Sequence, residues 1–277
     1  MTKRVLITGA NSYIGTSFER YIKENYPDDF KIDTLDMLNP RWKEFDFSKY
    51  DSIFHVAGIA HQKETNKNKN QYYKVNRDLT IKIAVKAKES GIKQFIFLSS
   101  MSVYGLKVGV ITKDTIEHPA SAYGDSKYQA EKSLINLQCE TFKVAIIRPP
   151  MVYGKGCRGN YQRLRDFALK SPVFPNYMNK RSMLFIGNLT EFIKCIIDTE
   201  SAGLFLPQNK EYVSTYEMVE LIAKYNSKSI KKTSLFNNLI KYLPIEILKK
   251  LFGNLVYEKI DVIDKYNFSE SIMISEK

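Results

Sequence analysis

The sequence predicts an α/β protein: a doubly wound parallel Rossmann sheet followed by a smaller C-terminal region. Three observations carry this reading. Through the first 150 residues, short apolar runs alternate with stretches of helical periodicity, the pattern of parallel strands joined by right-handed crossovers. The first run ends in a turn containing two glycines, TGANSYIG at 8–15. After Pro150 the pattern changes: proline, asparagine, arginine and tyrosine become more frequent, and strands lose definition. Domains are therefore expected at 1–150 and 151–277. The second is partly interleaved with the first, because no flexible linker separates them.

The elements follow in order. RVLIT (4–8) is short and apolar, as a buried strand should be. From Ser12 to Tyr26 the apolar residues Tyr13, Ile14, Phe18, Tyr21 and Ile22 recur at helical spacing, and Pro27 closes that helix. KIDTL (31–35) and SIFHVAG (52–58) are the next strands. The polar tract at 61–71 is expected to be a mobile loop, and 72–90 an amphipathic helix stopped by Gly91. QFIFLSS (94–100) is a strand, 122–138 a helix, and KVAIIR (143–148) a strand ended by Pro149. The stretch at 235–252 is apolar and basic. Pro244 splits it into two short helices, which burial against a sheet suits better than a membrane surface.

Composition sets outer bounds. A 277-residue chain with 44% hydrophobic and 26% charged residues can bury a sizeable core. No apolar run is long enough to span a bilayer, so stable membrane insertion is not expected. Cys139, Cys157 and Cys195 are scattered and odd in number, which favours a reducing, cytoplasmic compartment without disulfides or a metal cluster. The net charge of +12 is spread along the chain. It lacks the clustered stripe of a nucleic-acid binder and would suit a diphosphate-bearing small substrate. His55 and His118 have no carboxylate or cysteine neighbours at ligand spacing, so both read as structural or solvated.

The turn at 8–15 departs from the usual glycine-rich phosphate cradle, because Ser12 occupies a glycine position. Gly9 turns the chain, Gly15 lets helix approach strand, and Ser12 is small enough to cap the helix whose N-terminus attracts phosphate. Asp36, 21 residues beyond Gly15 at the end of the second strand, stands where a carboxylate accepts hydrogen bonds from an adenosine ribose. The same charge repels a 2′-phosphate, so NAD(H) is favoured over NADP(H).

The second informative stretch is AYGDSKYQAEK (122–132). Tyr123 and Lys127 are four residues apart on a helix and share a face. A nearby ammonium would lower the phenol from its ordinary value of about 10 and make it a useful acid–base group. Tyr128 and Lys132 have the same spacing but point elsewhere. Tyr123 is preferred because it opens the helix, has small neighbours in Gly124 and Ser126, and lies 23 residues after Ser100 at the end of a strand.

TGANSYIG, Asp36, HVAG, FLSSMSVYG and YGDSK, in this order across nearly the whole chain, resemble the extended short-chain dehydrogenase/reductase family of nucleotide-sugar epimerases, dehydratases and ketoreductases. The resemblance implies Ser100, Tyr123 and Lys127 as catalytic residues, with Lys127 also holding the nicotinamide ribose. It implies Gly9, Asn11, Ser12, Tyr13, Ile14, Gly15 and Asp36 as cofactor contacts. Asp46 and Phe47 would flank the adenine; Ala57, Gly58, Asn76 and Pro150 would line the cofactor. Met151, Asn160 and Arg181 would join Ser100 and Tyr123 around the substrate, with Arg181 on its diphosphate and Arg163 and Arg165 as weaker candidates.

Dehydration is excluded, because Met101 and Ser102 stand where that branch carries its acid–base pair. RPPMVYGKGCRGNYQRL (148–164) has methionine where epimerases commonly have asparagine. It resembles more closely the bacterial reductases of UDP-4-keto-6-deoxy-N-acetylhexosamines, which serve capsule and O-antigen synthesis. The expected activity is therefore NAD(P)H-dependent reduction at sugar C4 of a UDP-sugar. The alternatives are a UDP-sugar 4-epimerase with tightly held NAD and a non-catalytic nucleotide-binding module. A homodimer through the 72–90 and 122–138 helices would fit the family.

Overall fold

The computed structural model describes residues 2–60, 62, 64–235, 237, 251–259 and 264–277. Most of the 235–252 stretch lies outside the described residues. In chain order the elements are β1 (Lys3–Thr8), α1 (Tyr13–Asn25), β2 (Phe30–Leu35), β3 (Ser52–His55), α2 (Lys69–Tyr72), a π-helical segment (Tyr73–Leu79), α3 (Thr80–Glu89), β4 (Gln94–Leu98), β5 (Gly109–Ile111) and α4 (Ala122–Leu137). They continue with β6 (Lys143–Ile147), β7 (Met151–Tyr153), α5 (Asn160–Lys170), β8 (Val173–Pro175), β9 (Met183–Phe185), α6 (Ile186–Asp198), β10 (Gly203–Phe205), α7 (Thr215–Tyr225), β11 (Lys231–Thr233), β12 (Leu255–Tyr257) and α8 (Phe268–Glu276).

The chain divides into two compact units. The first comprises residues 1–105, 117–149 and 189–207, the second 106–116, 150–188 and 208–277. Unit 1 holds a six-stranded parallel sheet in the order β10-β6-β4-β3-β1-β2. The order reverses between β1 and β3, so the carboxyl ends of those strands form the crevice where doubly wound sheets take ligands. The core of the sheet is dry: Leu6, Ile53, Phe95, Phe97, Val144 and Ile146 are buried with Ile83, Ala84 and Ala87 of α3 and Ala130 and Leu134 of α4. β3 is buried at every position, as expected of a central parallel strand covered on both faces. Gly91 ends α3 with φ +77°, and Ile92 N donates to Ala87 O. The helix expected over 72–90 begins earlier, at Lys69, and changes to π geometry over seven residues.

Unit 2 is assembled from short parallel pairs, β5–β12, β7–β9 and β8–β11, with α5, α7 and α8. Three-residue strands carry too little periodicity to stand out in a sequence. Two of its helices open on capping boxes, Ser214 with Glu217 and Asn267 with Glu270.

Within unit 1, Arg148 fastens α4 to the end of β6. Its guanidinium donates to Glu131 in a bidentate pair at 2.6–3.2 Å, to Tyr104 Oη at 2.7 Å and to Glu117 Oε1 at 2.6 Å. Ser99 Oγ donates to the same Glu131 carboxylate. The Arg148 and Glu131 side chains are only 4% and 1% exposed, so removing one strands the other in a low dielectric. Glu131→Ala is expected to cost about 3–5 kcal/mol in urea unfolding, whereas the double variant Glu131→Leu/Arg148→Met recovers a large part of that loss.

Candidate active site

The turn after β1 is shaped by close backbone approach. Gly9 has φ +120°, and a Cβ there would lie 2.6 Å from Ala57 N, at the end of β3. Only glycine fits between the carboxyl ends of these two strands. Asn11 follows in the left-handed region at φ 64°. Ser12 then caps α1, its Oγ accepting from Gly15 N at 3.2 Å. A Cβ on Gly15 would meet that same Oγ at 2.6 Å, so serine at 12 and glycine at 15 are a matched pair. Tyr13 and Ile14 form the first turn of α1 behind the cap.

Asp36 is exposed just past β2, and its carboxylate accepts from Leu38 N at 2.9 Å. Asp46 is bound to Ser48, which holds its carboxyl below the ordinary range. Phe47 is fully buried in the core under the Lys86 ammonium, so only its backbone is left to meet a ligand.

A second cluster joins the end of β3 to α4. Asn76 is completely buried inside the π segment, an irregularity that often marks functional positions in helices. Its Oδ1 accepts from Ile59 N at 2.8 Å, and its Nδ2 donates to Ile59 O at 3.1 Å and Ser126 Oγ at 3.2 Å. A Cβ on Gly58 would stand 3.0 Å from Asn76 Oδ1 and 3.3 Å from Lys127 Nζ. Lys127 is 5% exposed. Its amine donates to Leu98 O at 2.9 Å and lies 4.6 Å from the Phe97 ring centre. Burial pushes its pKa down to about 8, with Glu131 pulling the other way.

Ser100 and Tyr123 meet across unit 1. Ser100 caps the short 3-10 turn at 101–104, where its Oγ accepts from Ser102 N at 3.1 Å and lies 3.0 Å from Ser102 Oγ. Burial raises the Tyr123 phenol; the hydrogen bond with Ser100 lowers it, and Tyr72 raises it again. The expected depression of this phenol by Lys127 is thus not the balance found here: burial dominates, and the ammonium is turned to the Leu98 carbonyl and the Phe97 face. The second pair, Tyr128 and Lys132, folds on itself, with the ammonium 4.5 Å from the ring centre.

Several neighbours of this cluster were not among the candidate site residues, although Ser126 was noted as a small neighbour of Tyr123. The Tyr72 ring meets Tyr123 edge-on at 6.3 Å, and Glu64 accepts from Ala122 N at 2.8 Å, holding the first turn of α4. Ser126 and Leu98 O complete the surroundings of Asn76 and Lys127. Spacing gave a signal for two of them: Tyr72 precedes Asn76 by four residues, and Ser126 follows Tyr123 by three. Glu64 sits in a polar tract with no periodicity, and a carbonyl has no signature in sequence. His55 is fully buried between Thr8 Oγ1 (2.7 Å) and Thr80 Oγ1 (3.0 Å), and burial holds it near pKa 3 as a neutral structural group.

The remaining candidates belong to unit 2. Pro150 is buried, Met151 opens β7 half-buried, and Asn160 is the exposed first residue of α5. Arg181 is half-buried, donates from Nη1 to Gly253 O at 3.0 Å, and is lowered in pKa by burial.

A parallel sheet with a glycine turn at its switch point and an acidic residue past β2 defines a dinucleotide-binding class of α/β protein. The model of the NAD dependent epimerase/dehydratase family matches residues 5–204, and the chain belongs to that family. A UDP-glucose 4-epimerase of Vibrio cholerae is 31% identical over 99% of this chain and 88% of its own length. A second relative, from Escherichia coli O157:H7, is an N-acetyl-α-D-glucosaminyl-diphospho-ditrans,octacis-undecaprenol 4-epimerase. It is 29% identical over 73% of this chain and 66% of its own length. The fold matches a Bacillus cereus UDP-glucuronic acid 4-epimerase in complex with NAD, at TM-score 0.75 and 19% identity, covering 99% of this chain and 95% of that one. The family is NAD-dependent, and the glycine turn, the exposed Asp36 and the amine beside Gly58 are compatible with that cofactor.

Two outcomes test this geometry. Gly9→Ala should abolish dinucleotide retention, measured as cofactor released on denaturing the purified protein, because its methyl must displace the Ala57 backbone. Lys127 in the folded protein releases its proton near pH 8, whereas the unfolded chain keeps it to about pH 10.5. Wild-type stability relative to Lys127→Met should therefore be level below pH 8 and rise between about pH 8 and pH 10.5 in urea titrations.

Proposed function

We propose that the protein moves hydride reversibly between a nicotinamide and C4 of a nucleoside-diphosphate sugar, with Ser100, Tyr123 and Lys127 as the catalytic set. The observation that carries this reading is the Ser100–Tyr123 hydrogen bond, one helical turn from an amine buried beside Gly58. Bound NAD would supply the hydride acceptor and donor. The chain's own residues handle the proton and the orientation. Once its phenol has given its proton to solvent, the Tyr123 phenolate takes the proton from the sugar hydroxyl as the carbonyl forms, and the resulting phenol returns it on reversal. Ser100 donates to the same oxygen and holds the sugar in line. Lys127 sits between the Leu98 carbonyl and Gly58, placed to bond a ribose hydroxyl. Asp36 is the ribose acceptor at the adenosine end. Arg181 is the guanidinium for the diphosphate.

The 4-epimerase reading comes first. The Vibrio relative extends over nearly all of this chain, and the Escherichia relative acts at the same sugar carbon by its name. This places more weight on epimerisation than the 148–164 segment alone does. Reduction of a UDP-4-keto-6-deoxy-N-acetylhexosamine is the second reading, and Met151 in place of the epimerase asparagine favours it. UDP is the expected nucleotide on the strength of the Vibrio relative.

Purified protein incubated with UDP-glucose or UDP-N-acetylglucosamine and no added cofactor should yield the C4 epimer. If it does not, and instead consumes NADH with a 4-keto-6-deoxy UDP-sugar, the reductase reading replaces it. Tyr123→Phe should lower kcat by about 10²–10⁴-fold in whichever reaction is found, with KM changed far less.

A further inference from the structure

The positive charge of the chain is unevenly divided between its two units. Unit 2 carries 20 Lys+Arg against 11 Asp+Glu, whereas unit 1 carries 22 against 19. Within unit 2, part of this excess gathers where α5 runs into the β8–β11 ribbon. Lys231 pairs in register with Val173, and its backbone N donates to Pro172 O at 2.9 Å. Lys228 Nζ donates to Leu169 O in the last turn of α5, beside the exposed Lys170. Apolar side chains are exposed on the same ribbon: Val173, the register partner of Lys231, at 39% and, two residues past β11, Leu235 at 87%.

We propose that this edge of unit 2 is a peripheral docking surface for anionic phospholipid membranes. Lysines interleaved with exposed Val and Leu satisfy two separate demands of a headgroup layer. The ammonium groups are drawn to negative lipid, each contributing roughly fivefold to partitioning. The apolar side chains enter the boundary between headgroups and acyl chains. The charge complementarity selects this partner over a second copy of the chain, which would set lysine against lysine. The aliphatic side chains select it over nucleic acid, whose single strands are bound by stacked aromatics. Among the described residues no helix is long and apolar enough to cross a membrane. The proposal is independent of which diphosphate sugar the active site accepts.

The test is co-sedimentation of the full chain with vesicles of phosphatidylcholine alone or of equal parts phosphatidylcholine and phosphatidylglycerol. Binding at least tenfold tighter to the anionic vesicles, weakened by salt, is expected. Lys170→Glu/Lys231→Glu should lose most of it, and Leu235→Ser should weaken the part that survives at high salt. Both variants should turn over a soluble UDP-sugar at the wild-type rate. A control with the same net charge, Lys31→Glu/Lys82→Glu in unit 1, should bind as wild type. The proposal is overturned by absent binding to anionic vesicles, by equal loss in the control, or by a charge-reversed unit 2 edge that binds undiminished. It is likewise overturned if single-stranded RNA displaces the protein from vesicles while binding through these same lysines.

Discussion

The burial of one amine governs how unit 1 is built around its site. Lys127 lies at the carboxyl edge of the sheet with almost no access to water, and an ammonium in that position is costly unless it is bonded and balanced. Leu98 O supplies the bond, the Phe97 ring a cation–π face, and Glu131, one turn along α4, the opposing charge. The compensation is incomplete, which is why the amine gives up its proton near pH 8. An amine whose pKa burial pushes down to about 8 responds to whatever charge is bound next to it. That sensitivity gives the position chemical value.

Glu131 is in turn too buried to stand alone. It is held by Arg148, which also reaches Tyr104 and Glu117, so a charged chain runs from the end of β6 to the helix that carries Tyr123 and Lys127. On the other side Asn76 ties the turn after β3 to Ser126 through the π segment. A π segment costs regular helical hydrogen bonding. In return it brings an amide wholly inside, where it can bond to backbone and α4 at once. Rigidity at the site thus comes from polar groups that must be satisfied, and the dry core below it only supplies the platform.

Two glycines show the same economy on the cofactor side. Gly9 is dictated by the nearness of the β3 end, and Gly15 by the serine that caps its own helix. The serine at position 12 is therefore no defect in a glycine cradle. It satisfies an orphan N–H of the helix that a third glycine would leave to solvent or ligand. Unit 2 follows different rules, with short strand pairs, capping boxes and a surface rich in lysine. Its charge suits diphosphate and anionic surfaces equally, since both are read by the same electrostatics.

Periodicity alone determined the doubly wound sheet, five of its six strands and, in outline, the helices at 72–90 and 122–138, because buried parallel strands and amphipathic helices cannot avoid their patterns, whereas the three-residue edge strand β10 gave none. The order of TGANSYIG, Asp36, Ser100 and the Tyr123–Lys127 pair likewise pointed to the family that the matching family model shows. Tertiary structure decided what those residues experience. No spacing rule shows that a carbonyl, Leu98 O, would take the Lys127 amine, or that burial would outweigh charge at Tyr123. None shows that the polar tract at 61–71 would send Glu64 to the N-terminus of α4. Those outcomes are set by dielectric and distance between groups far apart in the chain, and a one-dimensional pattern records neither.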